Sequence, residues 1–392
     1  MNRSYSAQYI FTNTGPPLKR GIVTVDDSGR IVNIEDTGGE LRESRAVEFH
    51  NGIIVPGFVN CHAHTELSYL RGQITGRKGL GYFLRHLNQL RDNFTGDTLM
   101  PIRAADKEMY DEGTLLCADI CNTSDSFGIK KESSITYISL LEVFGIDPQK
   151  AGKRMDSLAM LTREAEEHEV TFFPVPHSVY SLSLPLLRML KEKSASNRVT
   201  SLHFLETEGE REFIEERRGP LLDIYRQAGW LVSRPETAAS HSSAVLDEIT
   251  SSGNLILVHN TFVTREIINK VSKRKNLYWC LCPCSNIFIE DAVPPLPLLL
   301  EEGCEIVTGT DSLASNSRLS ILEELKCLQH HYPSADLGEM IRWATINGAR
   351  ALDRDSEYGK LAPGMRPGLV LLKNVDLQNM KLTPESSAVR LV

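Results

Sequence analysis

Val55-Pro56-Gly57-Phe58-Val59-Asn60-Cys61-His62-Ala63-His64 is an apolar run that closes on two histidines two residues apart, just after a Pro-Gly break. In an extended strand the side chains of residues i and i+2 lie on one face. His62 and His64 therefore converge on one point at the end of a buried strand, as two ligands of one metal ion must. Taken alone a His-x-His pair is moderate evidence, because many such pairs are accidents of the surface. This pair has distant partners.

The partners follow in chain order. Val199-Thr200-Ser201-Leu202-His203-Phe204-Leu205-Glu206 is a second β-prone run, with a histidine and then a carboxylate three residues on. Leu255-Ile256-Leu257-Val258-His259 is a third, and Glu305-Ile306-Val307-Thr308-Gly309-Thr310-Asp311-Ser312 a fourth that finishes in aspartate. Each run ends in a side chain able to bind a metal or carry a proton. In a (β/α)8 barrel the catalytic residues come from the C-terminal ends of several different strands.

The expected fold class is α/β, with barrel strands ending near Asn60, Asp119, Val143, Pro176, Phe204, Val258, Leu281 and Gly309. Helical patterns lie between them, such as Met155 to His168. Residues 206–254 exceed what one crossover needs and are expected to carry two helices. Before residue 55 the chain reads as β, with Gly21–Val25 and Arg30–Ile34 flanking the turn signal Asp26-Asp27-Ser28-Gly29. Gly368–Leu372 reads as strand again.

The 392 residues are 41% hydrophobic and 24% charged, ordinary for a globular protein. A formal charge of −8 argues against a binder of the nucleic-acid backbone, which needs a basic patch. A small nucleoside stays open as substrate. Met1-Asn2-Arg3-Ser4-Tyr5 leads into a mixed segment and not into the apolar part of a signal peptide. No run of about 18 apolar residues is present to span a membrane. Eight cysteines without a secretory signal point to reduced thiols in the cytoplasm. Cys280, Cys282 and Cys284 invite a metal reading, but Leu277–Cys282 reads as a barrel strand, where cysteine is a small hydrophobe. His64-Thr65-Glu66 mimics the H-x-E of the zinc-dependent nucleobase deaminases that pair it with P-C-x-x-C. Here that P-C-x-x-C fails, because Pro283-Cys284 meets Ile287 instead of a second cysteine.

These residues resemble the amidohydrolase superfamily, in its branch of metal-dependent deaminases and chlorohydrolases of nucleobases, nucleosides and triazines. The matching residues are Pro56–Asn60 with His62 and His64, Pro176-His177-Ser178-Val179-Tyr180-Ser181, His203 with Glu206, His259, Ser285-Asn286 and Gly309–Asn316. Ala344–Leu352 and Gly359–Gly364 extend the match, so the resemblance covers nearly the whole chain. It implies a TIM barrel at 56–360 beside a small β-sandwich built from residues 1–55 and 361–392.

It also implies a metal centre of His62, His64, His203 and Asp311, with Zn2+ the first expectation and Fe2+ or Mn2+ the alternatives. Replacing an aromatic amino group, or a chloride, by hydroxyl needs a nucleophile stronger than water. A divalent metal lowers the pKa of bound water to about 7 and so supplies hydroxide. Glu206 matches the family's proton-shuttling glutamate. His259 matches the histidine that holds the hydroxide and stabilises charge without binding metal, and Asp311 joins them among the catalytic residues. His177 and Ser181, in the loop after the fourth strand, and Glu66, two residues past His64, are the expected substrate contacts. For Glu66 an exposed loop carboxylate is an equal alternative. Ser312, Ser315 and Asn316 are expected to brace the loop after Asp311. Two-metal members of the superfamily bridge their ions with a carboxylated lysine or a glutamate at the end of the fourth strand. Here that strand reads Val170-Thr171-Phe172-Phe173-Pro174-Val175-Pro176, with neither, so one ion per chain is expected. His50, His86, His168, His241, His330 and His331 have no partner pattern and default to surface or satisfied core histidines.

The stretch His62–Ser68 resembles the subgroup of aminodeoxyfutalosine and adenosine-type deaminases. Relatives there often carry Cys-Pro-Arg-Ser-Asn, where this chain has Cys282-Pro283-Cys284-Ser285-Asn286. Losing a bidentate cation is not conservative, which weakens the case for a carboxylate-bearing substrate. The expected activity is deamination of a purine-type nucleoside or nucleobase by metal-bound hydroxide, with release of ammonia. The expected form is a cytoplasmic homo-oligomer, dimer or tetramer, binding a small heterocycle and neither nucleic acid nor membrane. The alternatives are deamination of guanine or cytosine, dechlorination of a triazine, and a non-catalytic scaffold that has lost metal ligands. Every ligand position is filled here, which disfavours the scaffold.

Overall fold

The computed structural model describes residues 2–40, 46–230, 242–249 and 252–392. The chain opens with β1 (Arg3–Ile10), β2 (Leu18–Lys19), β3 (Ile22–Val25), β4 (Ile31–Glu35) and β5 (Val47–Pro56). It continues through β6 (Phe58–Ala63), β7 (Thr114–Cys121), β8 (Thr136–Val143) and β9 (Phe172–Pro176). Next come β10 (Val199–Phe204), β11 (Asn254–His259), β12 (Leu277–Leu281) and β13 (Ile306–Thr308), and finally β14 (Leu369–Lys373) and β15 (Ser387–Arg390).

The two ends of the chain share one seven-stranded sheet, in the order β15-β14-β5-β1-β3-β4 with β2 added to β1. The β3–β4 hairpin turns where its sequence demands. Asp26 Oδ1 accepts from the Ser28 and Arg30 amides at 2.8 and 3.0 Å, and Gly29 takes φ +76°. The first half of β5 is largely exposed, and its second half is buried between β1 and β14.

β6 to β9 form one four-stranded parallel sheet and β10 to β13 another. Two seams join them. At one, the His203 amide donates to His177 O at 2.8 Å. At the other, the Thr310 and Asp311 amides both donate to His62 O, at 2.9 and 3.0 Å. The eight parallel strands thus close on themselves as a barrel, the expected fold. A buried cluster including Val59, Ala118, Ile138, Val175, Val199, Ile256, Cys280 and Val307 draws on all eight strands and fills the middle. Cys280 and Cys282 belong to it, and all eight cysteines are free, so these two sulfurs serve as apolar volume.

Several boundaries differ from the sequence reading for local reasons. β6 runs past Asn60 to Ala63, because the strand pairs as far as Asp119 of β7. The helix expected over Met155–His168 occupies Ala151–Glu167, since Asp147 accepts from the Gln149 amide and starts the turn early. It buries Ala151, Leu158, Leu161 and Ala165 along one stripe. Residues 206–254 carry more pieces than two helices. Glu208–Arg211 runs on into a π-helical Glu212–Glu216, and Pro220–Gln227 and Ser242–Glu248 follow as further helices. Arg217 and Gly219 adopt positive φ, and Pro220 can begin a helix but not continue one. His241 lies outside the described residues. Among the described residues no helix is long and apolar enough to cross a membrane.

Gly309 sits at the β13–β6 seam. A Cβ there would lie 2.8 Å from His62 Cβ and 2.9 Å from Cys280 Sγ. Gly309→Ala is therefore expected to destabilise the fold by about 1–3 kcal/mol, the range for overpacking, measured by urea unfolding. An unchanged midpoint would mean that the seam has slack to give.

Candidate active site

The site grows from the C-terminal ends of the barrel strands. His62 Nε2 lies 3.1 Å from His64 Nε2. The His203 ring sits 4.8 Å from that of His62 and 5.5 Å from that of His64. One nitrogen from each ring falls within 4.8 Å of the others, a spacing that could hold a metal ion. Asp311 Oδ1 completes the group, 3.7 Å from His62 Nε2 and 3.5 Å from His64 Nε2.

The surroundings aim these donors inward. His203 Nδ1 meets the His177 carbonyl at 2.9 Å. A carbonyl only accepts, so Nδ1 carries the proton and Nε2 presents its lone pair to the cluster. Asp311 Oδ2 accepts from Ser285 Oγ at 2.5 Å and Ser315 Oγ at 2.7 Å, which leaves Oδ1 for the histidines. Ser312 Oγ backs Ser315 at 3.0 Å, and Asn316 donates to Thr310 O at 3.0 Å, so these residues do brace the loop. Burial, reinforced by neighbouring rings, holds His64 and His203 well below the ordinary imidazole range. Burial acts to raise Asp311, but its hydrogen bond with His62 and the nearby His64 ring hold it well below the ordinary range. Neutral imidazoles beside an anionic carboxylate are the protonation states that a divalent ion requires. The donor set fits Zn2+, Fe2+ or Mn2+.

Backbone strain concentrates at the same place. Leu205, His259, Asn260 and Asp311, each just past or at a strand end, have φ of 49°, 77°, 57° and 57°. Non-glycine residues in this region cost roughly 1–3 kcal/mol each and persist where the surroundings over-determine them. Here they are held by bonds such as Asn260 Nδ2 to Leu257 O at 2.8 Å and to Cys280 O at 3.1 Å.

Glu206 and His259 form the second half of the site. His259 Nε2 is 3.6 Å from Glu206 Oε2. The Asn286 amide meets His259 Nδ1 at 3.0 Å, which assigns the proton to Nε2. Tyr180 donates its hydroxyl hydrogen to Glu206 Oε1. Burial raises Glu206 well above the usual carboxylate range, against the opposing Tyr180 bond. Burial likewise lowers His259 to about 4, so it is neutral. A carboxyl group in this position can both take and give a proton.

A cavity of about 440 Å³ opens beside these groups, lined by His64, Asn122, Glu142, His177, Tyr180 and Ser181 among others. A larger one of about 720 Å³, against Ile306 and Asn347, contains none of them. His177 Nδ1 lies 2.9 Å from both Ser178 Oγ and Ser181 Oγ, and its ring stacks on His203 at 4.6 Å. Burial lowers His177 to about 3.

Glu66 is placed differently from the sequence expectation. Thr65–Leu70 winds into a 3-10 helix instead of staying extended, so Glu66 turns away from the mouth. Its Oε2 accepts from the Asn122 and Thr123 amides at 2.8 and 3.0 Å, and it does not line the cavity. Burial raises its carboxyl to about 7.

Two features escaped the sequence reading. Glu142 lies near the end of β8 with Oε1 3.4 Å from His203 Nδ1. With His177 and His203 it makes a second group of donors within 4.8 Å of one another. Its only signal is a carboxylate inside the apolar run Leu140-Leu141-Glu142-Val143, which must find a partner if buried. The other feature is the buried pair of Asp119 and Lys130, 2.6 Å apart. Asp119 also accepts from Thr65 N at 2.7 Å and Thr65 Oγ1 at 2.6 Å, and so fixes the turn that leaves His64. Lys130→Met would leave that carboxylate buried and unpaired. A loss of about 3–5 kcal/mol is expected by chemical denaturation, part of it recovered in a Lys130→Met/Asp119→Asn double variant. A single variant as stable as wild type would mean that Asp119 needs no counter-charge.

Residues 53–389 match the Amidohydrolase family. Among curated relatives, the 5'-deoxyadenosine deaminase of Methanococcoides burtonii is 24% identical over 391 residues, covering 94% of this chain and 82% of that protein. Among solved structures, Helicobacter pylori aminofutalosine deaminase in complex with methylthio-coformycin matches at TM-score 0.80 and 19% identity, covering 100% of both chains. A zinc-bound adenosine deaminase from Xanthomonas campestris matches at TM-score 0.66 and 21% identity, covering 97% of this chain and 86% of that one. What the solved structures share with this chain is the fold. Strand-end histidines, a closed barrel and a match that runs from β5 to β15 lead to one assignment: the chain belongs to the amidohydrolase family.

Proposed function

We propose that the protein is a metal-dependent aminohydrolase that deaminates a purine-type nucleoside or nucleobase and releases ammonia. One observation carries this reading. A donor set of three histidines and an aspartate shares one mouth with a buried glutamate, Glu206, held by Tyr180 and faced by neutral His259. The similarity to a 5'-deoxyadenosine deaminase over most of both chains supports it.

His62, His64, His203 and Asp311 would hold one divalent ion, with Zn2+ the best fit. When bound, such an ion supplies a nucleophile at neutral pH by lowering the pKa of water to about 7. Glu206 takes a proton from the attacking water and gives it to the ring nitrogen of the substrate. It then takes the remaining proton from the added hydroxyl and passes it to the departing amino group, which leaves as ammonia while the carbon keeps the oxygen as a carbonyl. Burial moves the pKa of Glu206 upward from the ordinary carboxylate range, the direction in which a glutamate is tuned for proton transfer at neutral pH. His259, fixed through Nδ1 by Asn286, keeps its Nε2–H on the side of Glu206, where it would steady the charge that develops on the attacking oxygen. His177 and Ser181 contact the heterocycle from the cavity wall, and Glu66 acts indirectly, by holding the Asn122 and Thr123 amides.

Two measurements test this. Screened for ammonia release across purine nucleosides, Glu206→Gln is expected to keep its fold and metal yet lose about 10²–10⁴-fold in kcat. Near-wild-type turnover per bound metal would remove Glu206 from the mechanism. Elemental analysis is expected to give about one transition-metal ion per chain. Because burial keeps His64 and His203 neutral, protons should compete for the site only below the ordinary imidazole pKa of about 6.5. Metal content should therefore hold steady through that pH and fall only at more acidic values. Loss beginning above neutrality would contradict the assignment of ligands.

A further inference from the structure

Glu142 is buried at the wall of the cavity, 7% exposed, and has no part in the chemistry above. Its Oε2 accepts from Asn122 Nδ2 at 3.0 Å. Its Oε1 is buried and has no hydrogen-bond partner among the described residues. The nearest donor, His203 Nδ1 at 3.4 Å, already gives its proton to His177 O at 2.9 Å. A buried carboxylate oxygen without a donor is unfavourable unless something that enters the cavity supplies one.

The position says which part of a substrate could do so. His203 presents Nε2 to the metal-competent cluster and Nδ1 to Glu142, so Glu142 stands on the side of the ring away from the reacting centre. Glu206 and His259 occupy the other side of the site, at the ends of β10 and β11. The carbon that loses its amino group must lie near Glu206. Glu142 then meets a portion of the substrate remote from that carbon. On an adenine-type nucleoside the exocyclic amino group is the one that leaves, and the ring nitrogens of the base carry no other N–H. The donors that remain are the hydroxyls of the sugar.

We propose that Glu142, oriented by Asn122, is a specificity-determining residue that accepts a hydrogen bond from the 2'- or 3'-hydroxyl of a ribonucleoside. The proposal rests on the deaminase reading and narrows its substrate from heterocycles at large to nucleosides with an intact ribose. A second metal ion among Glu142, His177 and His203 is the competing use of the same atoms. It is disfavoured because His203 Nδ1 is protonated toward a carbonyl and offers no lone pair on that side.

The test compares adenosine with 2',3'-dideoxyadenosine on zinc-loaded wild type, Glu142→Gln and Glu142→Ala, with zinc content and unfolding midpoint measured on each preparation. With adenosine, kcat/KM is expected to fall about tenfold in Glu142→Gln and about a hundredfold in Glu142→Ala, the range for a hydrogen bond to a charged group. With the dideoxynucleoside the three proteins should perform alike. Zinc should stay at one ion per chain throughout, and Glu142→Gln should unfold like wild type. Equal losses on both nucleosides would overturn the proposal, as would a second zinc ion in wild type that either variant loses. If wild type releases ammonia from neither compound, the deaminase reading loses its support. Equilibrium binding to the same zinc-loaded proteins then decides the point separately. Tighter binding of adenosine than of the dideoxynucleoside, abolished by Glu142→Ala, upholds the hydroxyl contact, and equal affinities overturn it.

Discussion

Everything in the site hangs on the seam where the first and last barrel strands meet. The His62 carbonyl accepts two amides, those of Thr310 and Asp311, and this brings the carboxylate after β13 against the rings after β6. Asn60 clamps the seam from within. Its Nδ2 reaches Thr310 Oγ1 at 2.8 Å, across 250 residues of chain, and its Oδ1 accepts the His62 amide at 3.2 Å. Ligands contributed by different strands need barrel closure before they can share an ion, so closure of the fold and assembly of the site are one event.

Within that frame, identical functional groups are driven apart by what surrounds them. Asp311 receives two serine hydroxyls and lies among histidine rings, and is held as an anion. Glu206 receives a single tyrosine hydroxyl, is buried with other carboxylates nearby, and holds its proton more tightly. Glu142, also raised by burial to about 7, has an amide on one oxygen only. Three carboxyl groups flank one cluster with unlike proton affinities, the arrangement that the proposed chemistry requires of an anionic ligand and a proton carrier.

How much of this was legible depends on the range of the interaction. His62 and His64 could be paired from sequence because a strand repeats every two residues and the pair is local. His203, His259 and Asp311 followed because each ends an apolar run, and a barrel collects strand ends. Glu66 misled, since the two-residue rule holds only while the backbone stays extended, and the chain winds into a 3-10 helix at Thr65. Glu142 was hidden for the opposite reason, as nothing local relates it to His203 and their meeting depends on which strands lie side by side. The left-handed Leu205 carries no signal at all, because the residues that announce such a backbone are glycine and asparagine. Cys280 and Cys282 were read correctly as core, since their run looked like a strand before it looked like a ligand set.

The shared sheet of the two chain ends has a consequence for the order of folding. β5 runs straight into β6, the histidine strand, with only Gly57 between them, and its outer edge is covered by β14 in the register Leu369 opposite Pro56. During synthesis that edge emerges early and must wait for nearly all of the chain to follow. Until then it presents unpaired N–H and C=O groups beside the apolar residues Ile53, Ile54 and Val55. The nascent chain therefore carries, just upstream of its future reaction centre, a sticky margin that only its own last strands can seal. Proteins assembled this way depend on chaperoning or on dilution to avoid pairing with a neighbour, and here the risk is written into the topology and not into any one residue.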